Sequence, residues 1–321
     1  MDKLFFELIQ VSTGQLDCLS RGPEPEEWQQ LYEMACQQHL VGVCYRGVQL
    51  LFEFGLRAPQ DLAIDWMSEA ELIEERNNIL NERCVKVQQR LAEKSFKSSI
   101  LAGQGAACDY GETLHMLREP DGIDIYANGS LEELMAFVKR TGQELVASDR
   151  RMLSVQVWDD MAVHLHYRLG IGRNPMKNKV LKRWFEKNRK ALYVKDGELT
   201  RPSAELNVVY LLVSLYWKFL YEGVSLRELM DYFFALKRMA AHEQTTKVDY
   251  AKIMDTFGML GFSQGVMWVM QEVFGLAQEA LPFASDEEKG SFILYEVMSG
   301  QRNFFRLLLK YPGDTLLSLI R

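Results

Sequence analysis

The chain has no surplus of positive charge: 37 lysine and arginine residues stand against 44 aspartate and glutamate, a formal net charge of −7 over 321 residues. Such a balance gives no general field for holding nucleic acid or an anionic membrane, so a phosphate-bearing ligand needs a local site. Cysteine is sparse. The five thiols, Cys18, Cys36, Cys44, Cys84 and Cys108, are odd in number and include no close CxxC pair, which argues against a disulfide framework or a zinc knuckle and for a reducing, cytoplasmic setting. Long apolar runs are missing too. Val208 to Trp217 is about half of the ~20 residues a membrane-spanning helix needs, and Lys218 follows it. The opening residues Asp2 and Glu7 place acids where a secretory signal needs a basic and then an unbroken apolar stretch. There is no repeat period and no low-complexity segment. With 48% hydrophobic and 25% charged residues the composition is that of a globular protein, which excludes a disordered or fibrous chain. A soluble protein of one or two domains, with no membrane partner, is expected.

What is present is mostly helical periodicity. Leu4, Leu8 and Val11 repeat at helical spacing until Gly14. Pro23-Glu24-Pro25 suits a helix entry, and Trp28, Leu31, Tyr32, Ala35, Leu40, Val43, Val48, Leu51 and Phe52 continue in helical steps. A third pattern after Pro59 carries Leu62, Trp66, Leu72, Ile79, Leu80, Val87 and Leu91, predicting one long helix or two that end near Lys97. From Ser98 the texture changes. Ser99 to Ala102 is a short apolar run stopped by Gly103-Gln104-Gly105, as expected of a buried strand feeding a tight turn and a helix. Ile123 to Ala127 is a second strand, closed by Asn128-Gly129, and Ser130 caps a short amphipathic helix from Leu131 to Thr141. Glu144 to Ala147, Leu153 to Trp158 and Met161 to Arg168 are β-prone, the last two joined through Asp159-Asp160 as a hairpin turn. Beyond Gly170-Ile171-Gly172 helices return, among them a very apolar one from Leu206 to Tyr221 between Pro202-Ser203 and Gly223, and they continue to Leu319. The division expected is a helical N-terminal region (1–97), a small α/β core with four or five strands (98–170) and a helical C-terminal region (171–321).

The segment from Ile100 to Ala127 carries the chemistry. It couples a glycine turn at the end of one strand, where backbone N–H groups can hold phosphate oxygens, to carboxylates at the start of the next. Carboxylates on strands beside such a turn are what a two-metal phosphoryl-transfer site needs. By pattern alone a plain strand turn is the commoner explanation.

This segment resembles the uncharacterised nucleotidyltransferase family of the DNA-polymerase-β-like superfamily, with Bacteroidetes-type members. There a strand ends in Lys-Gly-x-x, a helix follows, and an Arg-x-x-Gly-Asp-Ile-Asp strand bears the metal-binding acids. His164-Leu165-His166-Tyr167-Arg168 resembles the family's Glu-x-His-x-Arg strand, Asn178 to Phe185 the helix after it, and Glu205 to Leu236 the helical C-terminal half. The resemblance implies an α+β fold with a polymerase-β-like core. It implies metal-assisted transfer of a nucleoside monophosphate from an NTP to a hydroxyl of an unknown small molecule or protein, with Mg²⁺ or Mn²⁺. Gly103, Gln104, Gly105 and Arg118 would bind the nucleotide, Asp121 and Asp124 would be catalytic, and Asp121, Asp124, His164 and His166 would face the metal. The departures from the family pattern fall on the chemistry. Asp121-Gly122-Ile123-Asp124 stands where the family has Gly-Asp-Ile-Asp, so only Asp124 lands on a family acid; His164 replaces the third acid and Ala102 the lysine before the turn. Side chains on a strand alternate, so Asp121 and Asp124 share a face only if Gly122 bulges, which glycine permits.

The motif is thus degenerate, and the alternative is a catalytically inactive homologue that binds a nucleotide or a protein partner. A third reading joins His164, His166 and Asp124 as a Zn²⁺ or Mn²⁺ site; two half-exposed strand residues explain the histidine pair equally. Arg118 either binds triphosphate or braces Glu119 or Asp121. Cys108, His115, Met259, Met267 and Met270 read as packing residues. The basic group Lys177, Lys179, Lys182 and Arg183 reads as a solvated helix face.

Overall fold

A computed structural model describes residues 2–241, 248–300, 304–311 and 314. Four helices open the chain: α1 (Asp2–Ser12), α2 (Pro25–Gln37), α3 (Val41–Leu51) and α4 (Gln60–Ala92). Pro25 stands in the first turn of α2, and the Glu27 carboxylate accepts the Glu24 N–H at 2.9 Å. In α4 the buried residues Leu62, Trp66, Ala70, Ile73, Asn77, Leu80, Cys84, Val87 and Leu91 recur every three or four positions. This single stripe serves two cores. Leu62 to Ile73 pack with the other helices, Leu80 to Leu91 pack on the sheet, and Asn77 sits at the join.

The sheet holds β1 (Ser98–Gly103), β2 (Ile123–Ala127), β3 (Glu144–Ser148), β4 (Met152–Trp158) and β5 (Met161–His166) in the order β1-β2-β5-β4-β3. Only β2 and β5 run parallel. This is the small mixed sheet that the sequence predicts, and Asp159-Asp160 is the two-residue turn between Trp158 and its partner Met161. Two short helices, α5 (Gln104–Ala107) and α6 (Gly111–Leu114), lie between β1 and β2, and α7 (Leu131–Arg140) follows β2. Ser130 caps α7 by accepting the Glu133 N–H at 3.2 Å, while the Glu133 carboxylate accepts the Ser130 N–H at 2.8 Å.

After the sheet come α8 (Pro175–Lys187), α9 (Ala204–Tyr221), α10 (Leu226–Ala241), α11 (Tyr250–Thr256), α12 (Leu260–Glu272), α13 (Glu287–Met298) and α14 (Phe304–Lys310). The helical texture expected up to Leu319 lies, from Thr315 onward, outside the described residues. Between α8 and α9 no sequence pattern predicts a hairpin, yet β6 (Val194–Asp196) pairs with β7 (Leu199–Arg201). Three-residue strands are too short to show alternation; the local signal is Gly197, whose φ of +56° turns the chain.

The helices of 1–97 and of 171–321 bury their apolar faces in one shared core, with Phe5, Leu8 and Leu31 in the same cluster as Val213, Tyr232 and Met267. Gln10 Nε2 donates to the Val273 carbonyl at 3.1 Å across this join. Met259, Met267 and Met270 are core residues, whereas Cys108 is exposed and His115 only half-buried. Lys177 also departs from the solvated face expected of it, for its ammonium donates to Asp314 Oδ2 at 2.6 Å. No helix among the described residues is long and apolar enough to cross a membrane.

Candidate functional site

The parallel register of β2 and β5 sets Asp124 opposite His164 and Tyr126 opposite His166. Because side chains alternate along each strand, Asp124, His164 and His166 share one face. Helix α9 covers that face with Tyr210, Ser214, Trp217 and Lys218, whose spacing places them on one side of the helix. Between strands and helix lies a cleft of about 210 Å³ whose walls also include Ala102, Asp121, Arg151, Arg168 and Glu222.

Asp124 and His166 form the closest pair in the cleft, with Nε2 to Oδ1 at 2.6 Å. Burial alone would raise the Asp124 carboxyl. The hydrogen bond from His166 and the positive potential of His166, His164 and Lys218 outweigh it and hold the group at about 2. An ionised carboxylate only accepts, so His166 Nε2 carries the shared proton. A depressed carboxyl contributes stability above its unfolded pKa, near 3.8, and loses it as pH falls toward 2. Asp124→Asn is therefore expected to flatten the pH dependence of unfolding between about pH 5 and 2, removing roughly 1–2 kcal/mol. Urea titrations at stepped pH check this; slopes identical to those of the parent chain would contradict the assignment.

Asp121 is held differently. Gly122 has a φ of +131° just before β2 begins, a conformation that suits glycine, and with it Asp121 reaches the same cleft as Asp124. The register shift itself falls on β1, between Ile100 and Gly103, opposite Ile125 and Ile123. Asp121 Oδ2 accepts from Arg227 Nη2 at 3.0 Å and Oδ1 from Arg118 Nη1 at 3.4 Å. Arg118 itself is 1% exposed, with Nε and Nη2 at 2.7 and 2.8 Å from the two oxygens of Asp231, and Tyr110 donates its hydroxyl to Asp231 at 2.7 Å. Its guanidinium faces α10 and braces Asp121 and the Glu119 carbonyl. The neighbouring Glu119 carboxylate accepts the Val41 N–H at 2.8 Å, at the start of α3.

The glycine turn is mostly turned inward. Gly103 has a φ of +62°, and a Cβ there would stand 3.0 Å from the Gly122 carbonyl and 3.4 Å from Asp121 Oδ1. It therefore lies beside the acid. Gly105 packs helix on strand, since a Cβ would meet the Ile100 carbonyl at 2.9 Å. Gln104 is buried and donates from Nε2 to Asn77 Oδ1 at 3.1 Å and Asn81 Oδ1 at 2.8 Å. Asn77 in turn donates to the carbonyls of Met116 and Arg118, so α4 fixes both ends of the segment between β1 and β2.

The cleft thus lies where two adjacent strands carry Asp124 and His164 in register, beside a glycine turn, under the helix that begins after Pro202. A family model described as an uncharacterised nucleotidyltransferase matches residues 24–275, most of the chain. The protein belongs to this nucleotidyltransferase family. No curated protein and no solved structure gives a significant match.

Within a nucleotidyltransferase fold, the donor set does not fit a pair of Mg²⁺ ions. Among the described residues no three histidine, cysteine, aspartate or glutamate side chains converge as ligands. Gly122 and His164 offer no carboxylate, Asp124 is engaged by His166 and Asp121 by two guanidinium groups. Sequence reasoning had Arg118 bracing Asp121 as one alternative but missed Arg227, Lys218 and Arg151 as the other cations beside the cleft acids. Lys218 is 3.5 Å from Glu228; burial would depress its ammonium, but Glu228, Asp121 and Asp124 hold it above its ordinary value. Arg151 bonds Asp149 at 3.1 Å and Glu222 at 3.4 Å. The signal that could have found Lys218 is the pair Ser214 and Lys218, four apart in the mostly apolar stretch of α9 after Asn207.

Proposed function

We propose that this nucleotidyltransferase homologue binds a nucleoside triphosphate in the cleft between β2, β5 and α9 and does not transfer it, acting in the cytoplasm. The observation that carries the reading is Asp124, the one carboxylate that the sequence resemblance sets on a family acid position: it is tied to His166 at 2.6 Å. The phosphates would be received by Lys218, Arg151 and Arg168, with the ring of Trp217 closing the wall.

Titration calorimetry with ATP, paired with an assay for label transferred from α-labelled ATP to the protein or to hydroxyl acceptors, tests this. Binding is expected, and incorporation no greater than in a protein-free control. No heat at millimolar ATP, or at any other NTP, would overturn nucleotide binding. A second reading, transfer of a nucleoside monophosphate to an unknown hydroxyl with Mg²⁺ or Mn²⁺, is favoured by family membership and by Asp121 and Asp124 lining one cleft. Release of pyrophosphate on addition of Mn²⁺ would establish it instead.

A further inference from the structure

The cleft acids are not waiting for a counter-charge. Each already has a hydrogen-bond partner from the protein: His166 on Asp124 at 2.6 Å, the guanidinium groups of Arg227 and Arg118 on Asp121 at 3.0 and 3.4 Å, and that of Arg151 on Glu222 at 3.4 Å. The walls carry three carboxylates, Asp121, Asp124 and Glu222, against three fixed cations, Arg151, Arg168 and Lys218, besides the two imidazoles. A polyanion entering this cleft therefore meets no net negative field.

We infer that the resident cations replace the divalent metal, so that this cleft takes the triphosphate of an NTP as a free anion, without Mg²⁺. The inference rests on the nucleotide-binding reading and gives it a chemical form. For a metal to enter between Asp121 and Asp124, Arg227 and His166 must first leave charge-assisted hydrogen bonds. Arg168 and Lys218 have no such obstacle. Arg168 is exposed, lies over the Tyr167 ring at 5.4 Å and makes no ion pair among the described residues. Lys218 reaches Glu228 only at 3.5 Å, and its side chain keeps 32% exposure. Each can turn toward a phosphate without abandoning a close carboxylate. His164 supports the same picture. Its Nδ1 is buried without a partner, and its Nε2 edge lies 3.9 Å from where a side chain at Gly122 would begin. A donor group thus occupies the ground that two acids would share in a metal-binding version of this site.

The test is calorimetric titration of the full chain with ATP, once in EDTA and once in excess Mg²⁺. Binding is expected to be tighter in EDTA than in excess Mg²⁺, where nearly all ATP is held as its Mg²⁺ complex, and Lys218→Ala to weaken binding in EDTA by about tenfold. His164→Glu, which sets a carboxylate opposite Asp124, is expected to weaken binding in EDTA by about tenfold and to recover it on adding Mg²⁺. Circular dichroism verifies that each variant is folded, and if His164→Glu is not, Lys218→Ala and the two titrations of the parent chain decide the matter. Binding by the parent chain that needs Mg²⁺ by more than about tenfold would overturn the inference while leaving nucleotide binding intact. An unchanged affinity in Lys218→Ala would also overturn it. No heat in either buffer would overturn both readings together.

Discussion

Asp231→Ala is expected to destabilise the fold by about 3–5 kcal/mol, the cost of taking its closest ion-pair partner from a buried charge. Arg118 is 1% exposed and makes two of its shortest hydrogen bonds to Asp231, which also accepts from Tyr110. Removing the carboxylate strands a guanidinium that no water reaches and a phenol without its acceptor. The loss amounts to a large share of the total stability of a typical domain, about 5–15 kcal/mol. Urea unfolding at neutral pH checks it. Asp231→Asn, which keeps the shape and one acceptor oxygen, should fall between the two. The double replacement Arg118→Met with Asp231→Leu should recover much of the loss, because apolar groups of similar volume carry no desolvation penalty. A change below about 1 kcal/mol in Asp231→Ala would mean that the pair is not buried as described. The cleft should suffer as well, since Arg118 also fixes Asp121.

Trp66→Ala should cost a similar amount, about 3–5 kcal/mol, for a different reason. The indole is fully buried, packs edge-on against Tyr32 with ring centres 5.2 Å apart, and donates Nε1–H to the Val41 carbonyl at 2.8 Å. Truncation leaves a cavity and removes the indole hydrogen bond at once. The next residue, Gly42, lies so close to the loop that a Cβ there would stand 2.4 Å from the Leu117 carbonyl, one residue before Arg118. The Trp66 contact therefore supports the backbone that carries the site's arginine. Denaturant titrations of Trp66→Ala and Trp66→Phe measure the effect; Phe should retain most of the packing and lose the hydrogen bond. A loss below about 1.5 kcal/mol in Trp66→Ala would show that the neighbours close the cavity.

The strands and the Asp159-Asp160 turn were legible because strand and turn signals are local: alternation and turn chemistry are written over a few consecutive residues. So was the long α4, from its stripe, although it ends at Ala92 rather than near Lys97. The candidate site was half legible. Asp124, His164 and His166 could be placed together, since strand periodicity and motif order suffice for that. The β6–β7 hairpin could not, because three residues leave no period to read. Nor could the packing of Gly105 against β1 and the buried amide contact of Gln104 with α4, which a sequence pattern resembling a phosphate turn does not show.

By itself, then, the sequence settled that Gly122 and His164, the residues around Asp124 on β2 and β5, carry no carboxylate, and no fold can supply one there. It also settled the order of helical, mixed and helical segments, since each repeats its own period. What neutralises the acids that remain was decided only by the tertiary structure. Arg227 lies 106 residues from Asp121, and Asp231 lies 113 from Arg118. Helix α10 brings both across to the start of β2. Coulomb attraction depends on separation in space and on the water excluded between the charges, and neither quantity is carried by position along the chain.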